Sequence, residues 1–164
     1  MKTTENDLEN VSKLWNDGDV MKFVGFPEGL GVTTDQLKKW LAAIDGTPLS
    51  EHFSIYESTL GYCGESFYSV DEAHRMAALD IKLLKKARGR GIAHQALMHA
   101  IEKAFATEVV DTVYVDPDPN NQKALILYEK LGFEPAPRPS FLEPSKTHYE
   151  LTLDRYKKRQ KIKG

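Results

Sequence analysis

Near residue 85 the hydrophobic pattern changes period, and that change limits the folds open to the chain. Upstream, three segments read as strands. His52–Glu57 alternates around Phe53 and Ile55, Leu60–Val70 is rich in aromatics and glycine, and Met76–Leu84 is the third. Alternation at a spacing of two places successive side chains on opposite faces of a sheet. The links are short, and Asp71-Glu72 has turn composition, so the three predict an antiparallel meander. Downstream, Ile92, Ala96, Leu97, Ala100, Ile101, Ala104 and Phe105 recur at helical spacing and form one apolar stripe. Between the two periods lies Arg88-Gly89-Arg90-Gly91-Ile92-Ala93.

The flanks extend this pattern. Leu8, Val11, Leu14 and Trp15 predict an amphipathic helix over 5–17. Residues 18–33 hold four glycines and Pro27 and read as an irregular arm. Thr33 or Thr34 can cap a second helix carrying Leu37, Trp40, Leu41 and Ile44, which Gly46 and Pro48 end. After the long helix, Thr112–Val115 is a β-branched strand and 116–121, Asp-Pro-Asp-Pro-Asn-Asn, a loop. Ala124, Leu125, Leu127, Tyr128 and Leu131 mark a helix closed by Gly132. Residues 134–146 carry four prolines and read as a loop, and His148–Leu153 reads as a last strand. The basic run 155–164 reads as a solvated or frayed tail. This order predicts one mixed α/β domain over residues 1–164.

Composition narrows the function classes. A net charge of −2 gives no whole-chain attraction for nucleic acid or an anionic membrane. No apolar run approaches the ~20 residues that a membrane helix needs. The start, MKTTENDLEN, lacks the apolar centre of a signal peptide, so a cytoplasmic location is expected. Cys63 is the lone cysteine, which leaves no internal disulfide. It lies in a strand-like run and reads as a buried thiol rather than a nucleophile. His94 and His99 are five apart and share no helix face well, and the other histidines are scattered, so no metal site is expected.

The junction at 88–93 carries the strongest chemical signal. Glycines there let backbone approach a ligand closely. The first turn of the following helix leaves amides unpaired at the positive end of its dipole, where a pyrophosphate fits. Arg88 and Arg90 add positive charge at the rim. A basic turn that merely caps a helix is the plainer alternative. A dinucleotide fingerprint fails at His94, and the Walker phosphate-loop pattern is absent.

A second motif adds to this. Arg88, Gly91 and Ala93 fill the fixed positions of [QR]-x-x-G-x-[GA]. Asn121, Ala124, Tyr128, Glu129, Lys130, Gly132 and Phe133 fill N-x-x-A-x-x-x-Y-E-K-x-G-F. In that order and spacing, the chain resembles the GNAT superfamily of N-acetyltransferases, closely over 79–133 and more weakly over most of its length. The resemblance implies a mostly antiparallel, twisted sheet, splayed at the cofactor site and covered by helices on both faces. It implies acetyl-CoA as co-substrate and an amine acceptor as partner. Backbone groups of Ile81 and Leu83 would hold the pantetheine arm, the amides of Arg88, Gly89, Arg90, Gly91, Ile92 and Ala93 the pyrophosphate, and Asn121 the arm near the acetyl group. Two departures stand out. Only Met1–Thr4 precede the first helix, where the family has a strand, and Lys85 stands where many members carry proline.

Direct acetyl transfer has three chemical needs: a polarised thioester carbonyl, an amine stripped of its proton, and an acid for the departing thiolate. The resemblance assigns the acid to Tyr128, which also has the spacing of a core tyrosine. Asp80 in the third strand is the candidate base, or a solvent-facing carboxylate. Asp116 and Asp118 read as turn formers or as acceptor-side carboxylates, and Glu65 is a further candidate. The 18–33 arm, the second helix and the 134–146 loop would build the acceptor pocket, whose acidic residues suit a cationic amine: an aminoglycoside, a polyamine or a peptide N-terminus. A monomer or homodimer is expected. The alternatives are a non-catalytic acyl-CoA-binding module and a partner-binding protein that uses its basic tail.

Overall fold

The computed structural model of the chain describes residues 1–163, with Gly164 of the basic run lying outside them. Its centre is a six-stranded sheet in the order β1-β2-β3-β4-β6-β5. The strands are β1 (Ser50–Glu57), β2 (Gly61–Asp71), β3 (Met76–Leu83), β4 (Thr112–Val115), β5 (Glu134–Pro135) and β6 (Tyr149–Thr152). β1, β2 and β3 form the expected antiparallel meander. β4 lies parallel to β3, and β6 pairs antiparallel with both β4 and β5.

Both faces are covered. On one, α4 (Ile92–Ala106) lays Leu97, Ala100, Ile101 and Ala104, all fully buried, against Ala77, Leu79 and Val113. Side chains such as Leu97 and Ile101 each contribute about 1.5–3 kcal/mol by leaving water. α5 (Gln122–Leu131) joins the same core through Tyr128 and Leu131. On the other face, α1 (Leu8–Trp15) and α3 (Thr34–Asp45) share a smaller core of Leu8, Val11, Leu37 and Leu41. Thr33 caps α3 in a reciprocal box with Gln36.

The β3–β4 ladder runs only from Met76 opposite Thr112 to Ala78 opposite Tyr114. Beyond it, Leu79–Leu83 has no strand partner on that side, so the sheet opens between β3 and the 116–121 loop. The residues before α1 contribute one antiparallel bridge, Lys2 to Phe53, flanked by bonds from Thr3 N to His52 O and from Ser54 N to Met1 O.

Two segments differ from the sequence expectation. The 18–33 arm contains a helical turn, α2 (Gly18–Met21), followed by a 3-10 turn over Lys22–Val24. Asp17 caps α2 by accepting from Asp19 N at 2.9 Å, and Val20 and Met21 are buried against Leu14 and Tyr62. A helix this short is held by such burial rather than by propensity, so periodicity cannot reveal it. The basic run, expected as a solvated or frayed tail, is helical through Lys163. β6 stops at Thr152, and Leu153–Lys163 forms α6. Thr152 Oγ1 accepts from Arg155 N at 3.2 Å, Tyr156 lies 5.1 Å from the Phe105 ring, and Arg155 and Arg159 each donate at 2.7 Å, to the carbonyls of Gly132 and Lys130. These carbonyls close α5, whose open end draws the cations. Among the described residues no helix is long and apolar enough to cross a membrane.

Candidate active site

Local chemistry shapes the turn between β3 and α4. Gly89 and Gly91 have φ of +75° and +77°, the left-handed region that glycine enters without strain. Gly91 precedes α4, whose first backbone bond is Gln95 N to Gly91 O. The amides of Ile92, Ala93 and His94 thus precede the first helical bond, and those of Gly89, Arg90 and Gly91 find no acceptor among the described residues. This row of unpaired N–H groups at a helix start fits a pyrophosphate.

The opened strand supplies a second fitting feature. Leu84 N donates to Cys63 O, which sets the alternation of the β2–β3 ladder. Backbone groups of Leu79, Ile81 and Leu83 therefore point away from β2, into the opening. The Leu83 carbonyl already accepts from Arg88 Nε and Nη2 at 3.3 and 3.1 Å. Ile81 thus offers a free backbone edge of the kind an amide-bearing chain can pair with as a strand would.

A cleft of about 780 Å³ joins these features. Of the residues singled out in the sequence, Asp80, Ile81, Leu83, Arg88, Gly89, Gly91, Ala93, Asn121 and Tyr128 line it, whereas Arg90 and Ile92 do not. Arg90 turns to the Lys86 carbonyl. The Arg88 guanidinium, expected at the phosphate rim, is tied to Asp19 of α2 at 2.8 Å and holds that carboxyl below its ordinary pKa. Asn121 caps α5, its Oδ1 accepting from Ala124 N at 3.3 Å. The arm adds Val20, Lys22, Phe23 and Val24 to the lining.

Tyr128 sits on α5 with its ring edge-on to Phe133, 5.5 Å away. It is 5% exposed and lines the cleft, and its hydroxyl forms no side-chain hydrogen bond among the described residues. Burial pushes its phenol well above the ordinary value, and the charges of Asp80 and Asp116 push the same way, so the group keeps its proton. It therefore presents an O–H that can donate a hydrogen bond into the cleft, although the same shift makes it a weaker acid than a free phenol.

The acidic candidates separate. Asp80 faces the cleft, half exposed, and pairs with Lys82. Asp116 pairs with Arg138 of the 134–146 loop at 3.2 Å. Asp118 accepts from Asn120 N at 2.8 Å, as a turn-forming aspartate does. Glu65 is sealed under α1 and α3 and bonded to Trp15, His52 and Lys82. Lys82 was missed in the sequence, although its spacing of two from Asp80 puts both on one face of β3. Cys63 is fully buried.

A family profile described as Acetyltransferase (GNAT) domain matches residues 1–134. No curated protein sequence matches the chain significantly. Among solved structures, a spermidine N-acetyltransferase from Vibrio cholerae in complex with CoA and spermine superposes with a TM-score of 0.80 at 18% identity, covering 95% of each chain. An acetyltransferase of the GNAT family from Streptococcus pneumoniae gives 0.76 at 17% identity, covering 93% of this chain and 98% of its own. The profile spans most of the sequence, and the chain belongs to the GNAT family of acetyl-CoA-dependent N-acetyltransferases.

Proposed function

We propose that the chain moves the acetyl group of acetyl-CoA to the primary amine of a small cationic acceptor by direct attack, with Tyr128 as the acid and Asp80 as the base on the acceptor side. Acetyl-CoA supplies the activated thioester. The unpaired amides at 89–94 would bind its pyrophosphate, and the free edge at Ile81 would hold its amide-bearing arm. Asp80 would take a proton from the acceptor, whose free ammonium has a pKa of about 10. Tyr128 would give its proton to the departing sulfur.

The observation that carries this reading is the position of Tyr128. A protonated, unpartnered hydroxyl opens onto one cleft that also holds the unpaired amides and Asp80. Asp80, Asp116 and Asp118 line the same cleft beside Lys22, Lys82, Arg88, Lys123 and Lys130, so a cation would be drawn by these carboxylates locally and not by the cleft's overall charge. The spermine-bound structural neighbour supports a polyamine-like acceptor. A panel of polyamines, aminoglycosides and peptide N-termini, read by release of free CoA thiol, tests the reading, with Asp80→Asn and Tyr128→Phe as controls. Acetylation of at least one cationic amine, lost in both variants, is expected. Transfer only to neutral acceptors, or full activity in either variant, overturns it.

A further inference from the structure

The acceptor-side face of the sheet carries an ion arrangement that acetyl transfer by itself does not require. Asp80 and Lys82 project from the same face of β3, and Glu65 stands opposite Lys82 on β2. Lys82 Nζ contacts Asp80 Oδ2 and lies 3.6 Å from Glu65 Oε1. The two carboxylates differ in access: the Asp80 side chain is 48% exposed and that of Glu65 5%. An incoming amine can reach Asp80 and cannot reach Glu65.

Glu65 is fixed independently of Lys82. Trp15 Nε1 of α1 donates to Oε1 at 2.8 Å, and His52 Nε2 of β1 bonds Oε2 at 2.6 Å. Thr3 Oγ1 holds the other ring nitrogen of His52 at 2.7 Å and touches Ser54 Oγ at 2.8 Å. Burial would raise the Glu65 carboxyl, yet the bond and charge interaction with His52, the Lys82 charge and the Trp15 bond outweigh it and hold it below its ordinary value. Burial likewise opposes the Lys82 ammonium, and the two carboxylates outweigh it. One lysine thus lies between two carboxylates, of which Glu65 also bonds His52.

We propose that Lys82 is a movable counter-ion of the acceptor site: its ammonium holds Asp80 while the site is open and withdraws to Glu65 when an alkylammonium acceptor takes Asp80. The proposal rests on the reading that Asp80 faces the acceptor. The withdrawal is short, from 3.6 Å to an ion-pair distance of about 2.8 Å, and the lysine stem is flexible enough to make it. Binding then leaves Asp80 with the acceptor and Lys82 with Glu65. The site favours an acceptor that brings one positive charge to Asp80 and disfavours a neutral amine. Glu65 and Lys82 are positioning residues in this scheme, since neither touches the reacting atoms.

The test is a double-variant cycle on dissociation constants, measured by calorimetry on the CoA-loaded protein. Spermidine and n-butylammonium chloride serve as probes. Lys82→Met removes the competitor and is expected to tighten probe binding roughly fivefold. Glu65→Gln leaves Lys82 with Asp80 alone and is expected to weaken it roughly tenfold. In the double variant the weakening disappears, a non-additivity that a merely structural role would not produce. Binding of CoA without a probe reports that each variant is folded, and Lys82→Met decides alone if Glu65→Gln does not fold. Weaker or unchanged probe binding in Lys82→Met overturns the proposal. Asp80→Asn separates the two failures. If it leaves probe binding unchanged, or if neither probe binds the unmodified chain, the reading of the acceptor site fails; if Asp80→Asn weakens binding and Lys82→Met does not tighten it, only the counter-ion exchange fails.

Discussion

Replacing Tyr128 with Phe separates chemistry from folding with unusual cleanness, because the structure gives its hydroxyl nothing to hold. The ring is 5% exposed and edge-on to Phe133, contacts that Phe retains. With no hydrogen bond lost inside the protein, stability should change by no more than about 1 kcal/mol, which for a chain of this length moves Tm by roughly 2–4 °C. Turnover should fall much further. A positioned general acid contributes about 10²–10⁴-fold, and every tenfold is about 1.4 kcal/mol of barrier. Release of free CoA thiol at saturating acceptor measures it, with insensitivity to solvent viscosity showing that chemistry limits the rate. The Tyr128 phenol is held above its ordinary value of 10, so it stays protonated throughout the range below pH 10. Any basic limb of the rate profile below pH 10 should therefore persist in the variant. Unchanged turnover with chemistry limiting, or a loss matched by unfolding, would refute the reasoning.

Three further outcomes follow from particular residues. Gly91→Ala adds a Cβ that meets nothing within 4 Å, so its cost is backbone strain alone at φ +77°, about 1–2 kcal/mol by denaturant unfolding; acetyl-CoA binding should weaken as the loop amides lose their aim, and unchanged stability and affinity would contradict this. Glu65 has a folded pKa below its ordinary 4.5, so its stabilisation is full above pH 4.5 and is lost as pH falls through the folded value; Glu65→Gln should flatten the acid limb of Tm against pH, and an unaltered limb would exclude Glu65 as its source. Asp19→Asn removes the carboxylate that ties α2 to Arg88, so limited proteolysis should cut the 22–33 arm faster, and an equal rate would show that the arm is held elsewhere.

Sequence revealed most where residues repeat or where a backbone break is chemically marked. β4 appears over Thr112–Val115 as expected, and α4 begins at Ile92 straight after its glycines. The unpaired amides after β3 were readable because they follow from any helix start. The roles of α2 and α6 were not readable, because each depends on distant partners: Val20 and Met21 on Tyr62, and Arg155 and Arg159 on the end of α5. Asp80 and Glu65 were singled out separately, yet the Lys82 ammonium that links them depends on strand register, which pairs Glu65 with Lys82 rather than with a neighbour in sequence. Arg88 was expected at the phosphate rim, and only the folded arm shows that Asp19 takes its charge.

A crystal structure of the chain with CoA tests the central account most directly. The account predicts pyrophosphate oxygens within about 3.2 Å of amides in the 89–94 loop, the pantetheine arm along the open edge at Ile81, and the sulfur within about 3.5 Å of the Tyr128 hydroxyl, on the side of the cleft that Asp80 lines. CoA bound with its sulfur away from Tyr128, or with its pyrophosphate away from that loop, would contradict it.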